Sequence, residues 1–136
     1  MKTIFVDTNI LLDVLLHREE FMRPAAAIWE ACEIKKSTGF VSAISVNNIH
    51  YVCAKYLGRQ KALEAVRLVL AIFEVVSLDE KILRLSADSP GKDFEDAVQL
   101  YSALQAGTFC IVTRNVRDFP SGFTRVLSPE EFFALP

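Results

Sequence analysis

The sequence predicts an α/β fold, a three-layer α/β/α domain built on a parallel sheet of about five strands. Short β-rich runs alternate with segments of helical periodicity along the whole chain, which favours strands joined by helical crossovers. The first run, Ile4-Phe5-Val6, is apolar at every position, as expected where helices cover both faces of a sheet. With 136 residues, 51% of them hydrophobic, the chain suffices for one well-covered core, so a single domain over residues 1–136 is expected.

Five short runs rich in apolar and β-branched residues have the composition of strands. Turn or cap residues follow each run, so none of them extends into a long apolar segment. The predicted strands are residues 4–6, 40–42, 74–76, 109–112 and 125–127.

The segments between the strands carry helical signals. Apolar residues recur at three- and four-residue spacing, opposite polar faces. Gly39 and Gly107 are placed to end helices, Ser89-Pro90-Gly91 breaks the chain, and Ser128 has the position of an N-cap. The predicted helices are residues 10–16, 21–37, 44–57, 59–73, 81–87, 93–106 and a last one after Ser128.

Composition restricts the class of protein. Cys32, Cys53 and Cys110 are far apart in apolar surroundings, so they predict core residues, with neither a zinc site nor a disulfide framework. Asp7 interrupts the first apolar run and no run is long enough to cross a bilayer, so a cytoplasmic protein without a membrane partner is expected. The net charge of −2 gives no general attraction to nucleic acid, so RNA binding must depend on local basic residues or metal ions.

Polar residues stand where the first strand ends. Asp7, Thr8 and Asn9 come directly after it. In a parallel sheet the carboxyl ends of the strands hold ligands, because several strand ends and helix N-termini converge there. Each of the three can equally cap the next helix through its side-chain oxygen. The local pattern leaves both roles open.

Two later places repeat this pattern. Asp93 and Asp96 share one helix face, although each could also cap the helix or complement its dipole. Thr113, Asn115 and Asp118 follow the fourth predicted strand, in a segment that is also rich in turn formers. Carboxylate and amide oxygens gathered at one edge suit Mg²⁺ or Mn²⁺. Such ions can clamp a phosphodiester and generate hydroxide for in-line attack.

These blocks resemble the PIN-domain family, in the small prokaryotic branch that includes VapC-type toxins. The resemblance covers essentially the whole chain and implies a Mg²⁺- or Mn²⁺-dependent ribonuclease that hydrolyses RNA, is inhibited by a cognate antitoxin protein and forms a homodimer. By the match, Asp7 is the first acidic metal ligand, Asp96 the third and Asp93 an auxiliary acid. The blocks are Phe5-Val6-Asp7-Thr8-Asn9, Asp96-Ala97-Val98, and Val112-Thr113-Arg114-Asn115 through Asp118-Phe119.

Two positions depart from the family's pattern. The second acid, usually a glutamate on the helix after the second strand, aligns with Asn48. The fourth aligns with Asn115, with Asp118 a short step beyond as a replacement. An amide offers only a neutral oxygen, so the metal affinity is expected to be lower than with four acids. The pattern with asparagines itself resembles a recognised branch of the family.

Other polar and aromatic residues are expected to support the site or the core. Thr8 and Ser45 could hydrogen-bond the first acid or a phosphate oxygen, with helix capping as the alternative. Arg114 could contact an RNA phosphate, with a solvated surface charge as the alternative. Tyr51 and Tyr56 are expected in the core, with base stacking or a dimer face as alternatives.

Two other classes of function remain open. A catalytically weak PIN-fold module that binds RNA or protein is favoured by the two asparagines. A phosphotransfer domain also carries an Asp after its first strand. The haloacid-dehalogenase kind needs a second Asp two positions later, where this chain has Asn9, and a receiver needs a lysine where this chain has Thr113-Arg114.

Overall fold

The computed structural model describes residues 2–89 and 93–136, so the predicted breaker at Pro90-Gly91 lies outside the described residues. A 3-10 turn at Val116–Asp118, which the sequence patterns did not predict, follows the fourth strand. The strands are β1 (Lys2–Val6), β2 (Ser37–Ser42), β3 (Glu74–Val76), β4 (Cys110–Val112) and β5 (Arg125–Leu127). The helices are α1 (Thr8–Leu15), α2 (Glu19–Glu33), α3 (Ala43–Leu57), α4 (Arg59–Ile72), α5 (Glu80–Ala87), α6 (Phe94–Ala106) and α7 (Pro129–Phe133).

The sheet is parallel throughout, in the order β3-β2-β1-β4-β5. The chain runs outward from central β1 to β2 and β3, then returns to the other side of β1 as β4. The carboxyl ends of β1 and β4 are therefore neighbours, with Val6 opposite Val112. This is the topological switch point, where open α/β sheets bind ligands. A receiver domain has the order 2-1-3-4-5, so the sheet excludes that alternative.

Two separate apolar clusters cover the two faces of the sheet. Successive side chains of a strand point to opposite faces. Ile4 and Val6 therefore enter a larger cluster with α1 to α4 and α7, whereas Phe5 enters a smaller cluster with α6. The prediction of a three-layer α/β/α fold around a five-stranded parallel sheet is confirmed. None of the described helices combines the length and the apolar character that crossing a membrane requires.

Several local signals act as the sequence predicts. Ser128 and Glu131 form a reciprocal capping box at the start of α7, and Gly107 ends α6 with φ of 68°. The three cysteines are buried and free, as expected.

The predicted end of the second helix is wrong. Helix α2 ends at Glu33, and Gly39 lies inside β2, paired with Ile4. A Cβ on Gly39 would stand 2.6 Å from Sγ of Cys32 and 2.6 Å from Cδ1 of Phe73. This glycine therefore allows a close approach between layers, which a local pattern cannot distinguish from a helix stop.

The expectation that Tyr51 and Tyr56 lie in the core is also wrong. Their side chains are 71% and 66% exposed. Helical spacing alone marks which residues share a face, and the other face of α3 packs inward through Ile49 and Cys53.

Candidate functional site

Asp7 is a buried carboxylate at the carboxyl end of β1, 6% exposed. Its Oδ1 accepts a hydrogen bond from the backbone N–H of Thr8 at 2.9 Å, and its Oδ2 accepts one from Oγ1 of Thr113 at 2.8 Å. Asp7 therefore caps α1 and at the same time faces the end of β4. The capping role and the place at the strand end, which the sequence left as alternatives, coexist.

Opposing influences act on the protonation of Asp7. Burial raises its pKa above the ordinary value, and the charge of Asp118 adds to this. The hydrogen bonds from Thr113 and Thr8 and the positive charge of Arg114 lower the pKa, but burial dominates. A cation at this position would relieve the cost of the buried charge.

The start of α6 places further acids near Asp7. Oδ1 of Asp93 caps the helix, accepting the backbone N–H groups of Glu95 at 2.8 Å and of Asp96 at 3.3 Å. Burial, the largest cause, and the charges of neighbouring carboxylates together raise the pKa of Asp96 to about 7. The neighbouring carboxylates belong to Asp93, Asp7, Asp118 and Glu95.

Glu95 is a member of this acidic group that the sequence analysis missed. Burial raises its pKa, and the charges of Asp93 and Asp7 add to the effect. Its Oε2 accepts a hydrogen bond at 3.5 Å from Nδ2 of Asn48, the position where the family's second acid is expected. Three acids within four residues were the available signal, but a first-turn acid is equally explained by the helix dipole.

The hydroxyl groups of Thr8 and Ser45 form a buried network that does not include Asp7. The two oxygens lie 2.7 Å apart. Nε2 of Gln99 donates to Oγ1 of Thr8 at 3.0 Å and to Oγ of Ser45 at 2.8 Å. Of the polar groups of Thr8 and Ser45, only the backbone N–H of Thr8 binds Asp7, so neither hydroxyl makes the expected hydrogen bond to the first acid. Gln99 was missed, because a single glutamine in an apolar helix pattern has no distinct local signal.

Arg114 is held on Asp13 instead of spanning the acidic group. Its Nε donates to Oδ2 of Asp13 at 2.9 Å and its guanidinium stacks over the ring of Phe21, 4.0 Å from the ring centre. Asp13 is fully buried and also binds Arg18 at 3.2 Å. Oδ1 of Asn9 accepts a hydrogen bond from Arg18 at 3.4 Å. Asn9 therefore lies beside the arginine pair of Asp13 and makes no described hydrogen bond with Asp7 or Asp96.

The segment after β4 contributes a backbone N–H group and a negative charge to the surroundings of Asp7. The backbone N–H of Asn115 donates to Oγ1 of Thr113 at 3.0 Å, which orients the hydroxyl that binds Asp7. Asp118, at the end of the 3-10 turn, is exposed and raises the pKa of both Asp7 and Asp96.

The donor chemistry of this edge fits a hard divalent cation. Carboxylate oxygens are the ligands that Mg²⁺ and Mn²⁺ prefer, and Asp7 and Asp96 carry raised pKa values that a positive charge would lower. Within residues 2–89 and 93–136, no group of three or more His, Cys, Asp or Glu side chains is placed to hold a metal ion together. A cation here would therefore retain several waters, as Mg²⁺ commonly does.

The fold is similar to that of several solved structures, among them a toxin–antitoxin complex and a toxin. A toxin–antitoxin complex from Klebsiella pneumoniae matches with 25% identity and a TM-score of 0.69, covering 93% of this chain and 97% of that one. FitAcB from Neisseria gonorrhoeae matches with 18% identity and a TM-score of 0.70, covering 97% and 99%. VapC20 from Mycobacterium tuberculosis, a toxin that cleaves the sarcin-ricin loop, matches with 15% identity and a TM-score of 0.65, covering 79% and 86%.

Comparison of the sequence identifies a protein family but no individual curated relative. A search of curated proteins finds no match. The family model described as the PIN domain matches residues 3–117, a range that contains β2 to β4, β1 apart from its first residue, and the acidic group apart from Asp118. This chain belongs to the PIN-domain family.

Proposed function

We propose that this protein is an endoribonuclease that hydrolyses RNA phosphodiester bonds with Mg²⁺ or Mn²⁺, and that it is the toxin of a toxin–antitoxin pair. One observation carries the proposal: carboxylates from β1, α6 and the segment after β4 crowd the topological switch point, where burial and their mutual charges raise the pKa of Asp96 to about 7. Membership of the PIN-domain family supports it, as does the similar fold of a toxin–antitoxin complex and of a toxin.

In this proposal Asp7 and Asp96 hold the metal. When bound between these two carboxylates, Mg²⁺ or Mn²⁺ would supply Lewis acidity toward the phosphodiester. Thr113 and the backbone of Thr8 fix the orientation of the Asp7 carboxylate through two hydrogen bonds. Asp93 holds the first turn of α6 and with it Asp96.

The remaining polar groups act around this centre. Asn115 and Asp118 are assigned to the site from the segment after β4, as groups that hold waters or replace a missing acid. Nδ2 of Asn48 in α3 donates a hydrogen bond to Glu95 of α6 at 3.5 Å. A carboxylate from another helix therefore lies beside this asparagine. This pairing offers the negative charge that Asn48 lacks.

Arg114 is assigned to the binding of an RNA phosphate. Asp13 and Phe21 hold its guanidinium in place, and no described residue accepts a hydrogen bond from its Nη1. Its side chain is 25% exposed, so part of a pre-oriented cation faces solvent beside the acids. A guanidinium held in this way loses little conformational entropy on binding a phosphate.

Cleavage of a structured RNA by the purified protein tests the proposal. Activity should require Mn²⁺ or Mg²⁺, disappear with EDTA and be lost in Asp7→Asn and in Asp96→Asn. The matched control is Asp88→Asn, which removes an exposed carboxylate at the end of α5 and should leave cleavage unchanged. Cleavage that survives in Asp7→Asn would indicate a contaminating nuclease and contradict the proposal.

The proposed antitoxin partner and the proposed homodimer are tested separately. Induced expression should arrest growth, and a small protein encoded next to this gene should relieve the arrest and co-purify with it. Light scattering should give the mass of a homodimer, with exposed Tyr51 and Tyr56 available for contact. RNA or antitoxin binding without cleavage under any metal would instead favour the binding-module alternative, in which Asn48 and Asn115 have weakened the metal site.

A further inference from the structure

A buried amide joins three helices, one of which carries Asp96 of the acidic group. Gln99 of α6 is fully buried. Its Nε2 donates to the hydroxyls of Thr8 in α1 and Ser45 in α3, at 3.0 and 2.8 Å. The two hydroxyls also bind each other at 2.7 Å. The three polar groups therefore form a closed triangle, which is called the amide triangle below.

The amide triangle connects opposite layers of the fold. Helices α1 and α3 pack in the larger apolar cluster, whereas α6 packs in the smaller one on the other face of the sheet. Apolar packing is non-directional, so each cluster holds its own layer without setting the offset between layers at the sheet edge. Hydrogen bonds have a narrow range of length and angle, so the amide triangle sets that offset.

Two corners of the amide triangle are adjacent to the proposed metal ligands. Thr8 follows Asp7 and donates its backbone N–H to that carboxylate. Gln99 lies three residues after Asp96, on the same face of α6. We infer that Gln99 is a positioning residue that sets the distance between the Asp7 and Asp96 carboxylates and thereby the affinity of the site for a divalent cation. This inference rests on the proposed metal site.

Fold stability alone gives a weaker reason for this glutamine. Oε1 of Gln99 is buried and has no hydrogen-bond partner among the described groups, which costs free energy in the folded state. Replacing a buried polar group and its partners with apolar groups of similar shape is often nearly neutral for stability. Directional control of the two layers explains the amide better than its net contribution to folding does.

Two measurements on Gln99→Met test the inference. Titration followed by the electron paramagnetic resonance signal of free Mn²⁺ should show binding weakened by about tenfold, the lower end of the effect of groups that orient metal ligands. In the metal-free protein, exchange of the Thr8 amide proton with solvent should become faster, because the first turn of α1 loses its anchor. Ser102→Ala is the control, since Ser102 is also buried on α6 and its Oγ has no partner among the described groups. It should change neither measurement.

A triple variant separates positioning from stability. Combining Thr8→Val and Ser45→Ala with Gln99→Met removes all three polar groups, so the urea midpoint should return toward that of the wild type. Mn²⁺ binding should stay weakened. Recovery of Mn²⁺ affinity together with stability would overturn the inference, as would unchanged affinity in Gln99→Met. If the wild type binds no Mn²⁺, the proposed function fails, and the Thr8 exchange rate still decides whether Gln99 holds Asp7 in place.

Discussion

The Asp96→Asn variant should be more stable than the wild type at pH 8 when no divalent metal is present. Burial and neighbouring carboxylates raise the pKa of Asp96 from 3.8 to about 7, so the folded state holds this proton more tightly than the unfolded chain does. Its contribution to the free energy of unfolding is fully present below pH 3.8 and is lost as the pH rises through about 7. The difference between these two pKa values corresponds to about 4 kcal/mol, at roughly 1.4 kcal/mol per pH unit. Partial exposure of the carboxylate to solvent reduces the expected gain to about 1–2 kcal/mol.

Urea unfolding in EDTA measures this difference. Trp29, the single tryptophan, is 7% exposed in the core and reports unfolding by its fluorescence. The variant should exceed the wild type at pH 8, and the difference should shrink toward pH 5 as Asp96 of the wild type becomes protonated. Asp88→Asn, at the exposed end of α5, should show no such pH-dependent gain.

Added Mg²⁺ should reverse the order of stability. A ligand at a hundred times its dissociation constant stabilises the folded state by about 2.7 kcal/mol, and the variant has lost one of the two carboxylates proposed to bind it. Lower stability of Asp96→Asn at pH 8 in EDTA, or a difference that is the same at pH 5 and pH 8, would refute the electrostatic reasoning.

Three further predictions concern the core. Gly39→Ala should lower the free energy of unfolding by about 1–3 kcal/mol, because the new methyl group would overlap Cys32 and Phe73; an unchanged urea midpoint would contradict this packing. Asp13→Ala should cost about 3–5 kcal/mol in the same assay, because two arginines lose their shared, fully buried acceptor; a loss below 1 kcal/mol would show that the pairs behave as surface pairs. Burial raises the pKa of Cys32 to about 12, so a disulfide reagent should label this thiol only after denaturation, and rapid labelling of the native protein would contradict its burial.

The candidate site was predictable where a local pattern sets the position of a residue. Asp7 and Thr113 each follow an apolar strand, and the order of strands in a parallel sheet brings such ends together. Asp93 was predictable as a cap, because a carboxylate at the start of a helix accepts backbone N–H groups wherever the helix lies. The residue to which the Arg114 side chain binds was not predictable. Its acceptor, Asp13, is remote in sequence and lies in the predicted helix of residues 10–16, whose other members are all apolar.

The sequence by itself determined the alternation of strands and helices, their caps and the end of the strand or helix at which each acid lies, because these depend on interactions within a few residues. Only the tertiary structure decided that Gly39 lies in a strand, that Glu95 stands beside Asn48 and that Gln99 joins two layers. The physical reason is the same in each case. The partner comes from another layer or element, and the cost of a close approach or of a buried polar group is set by what stands opposite it after folding.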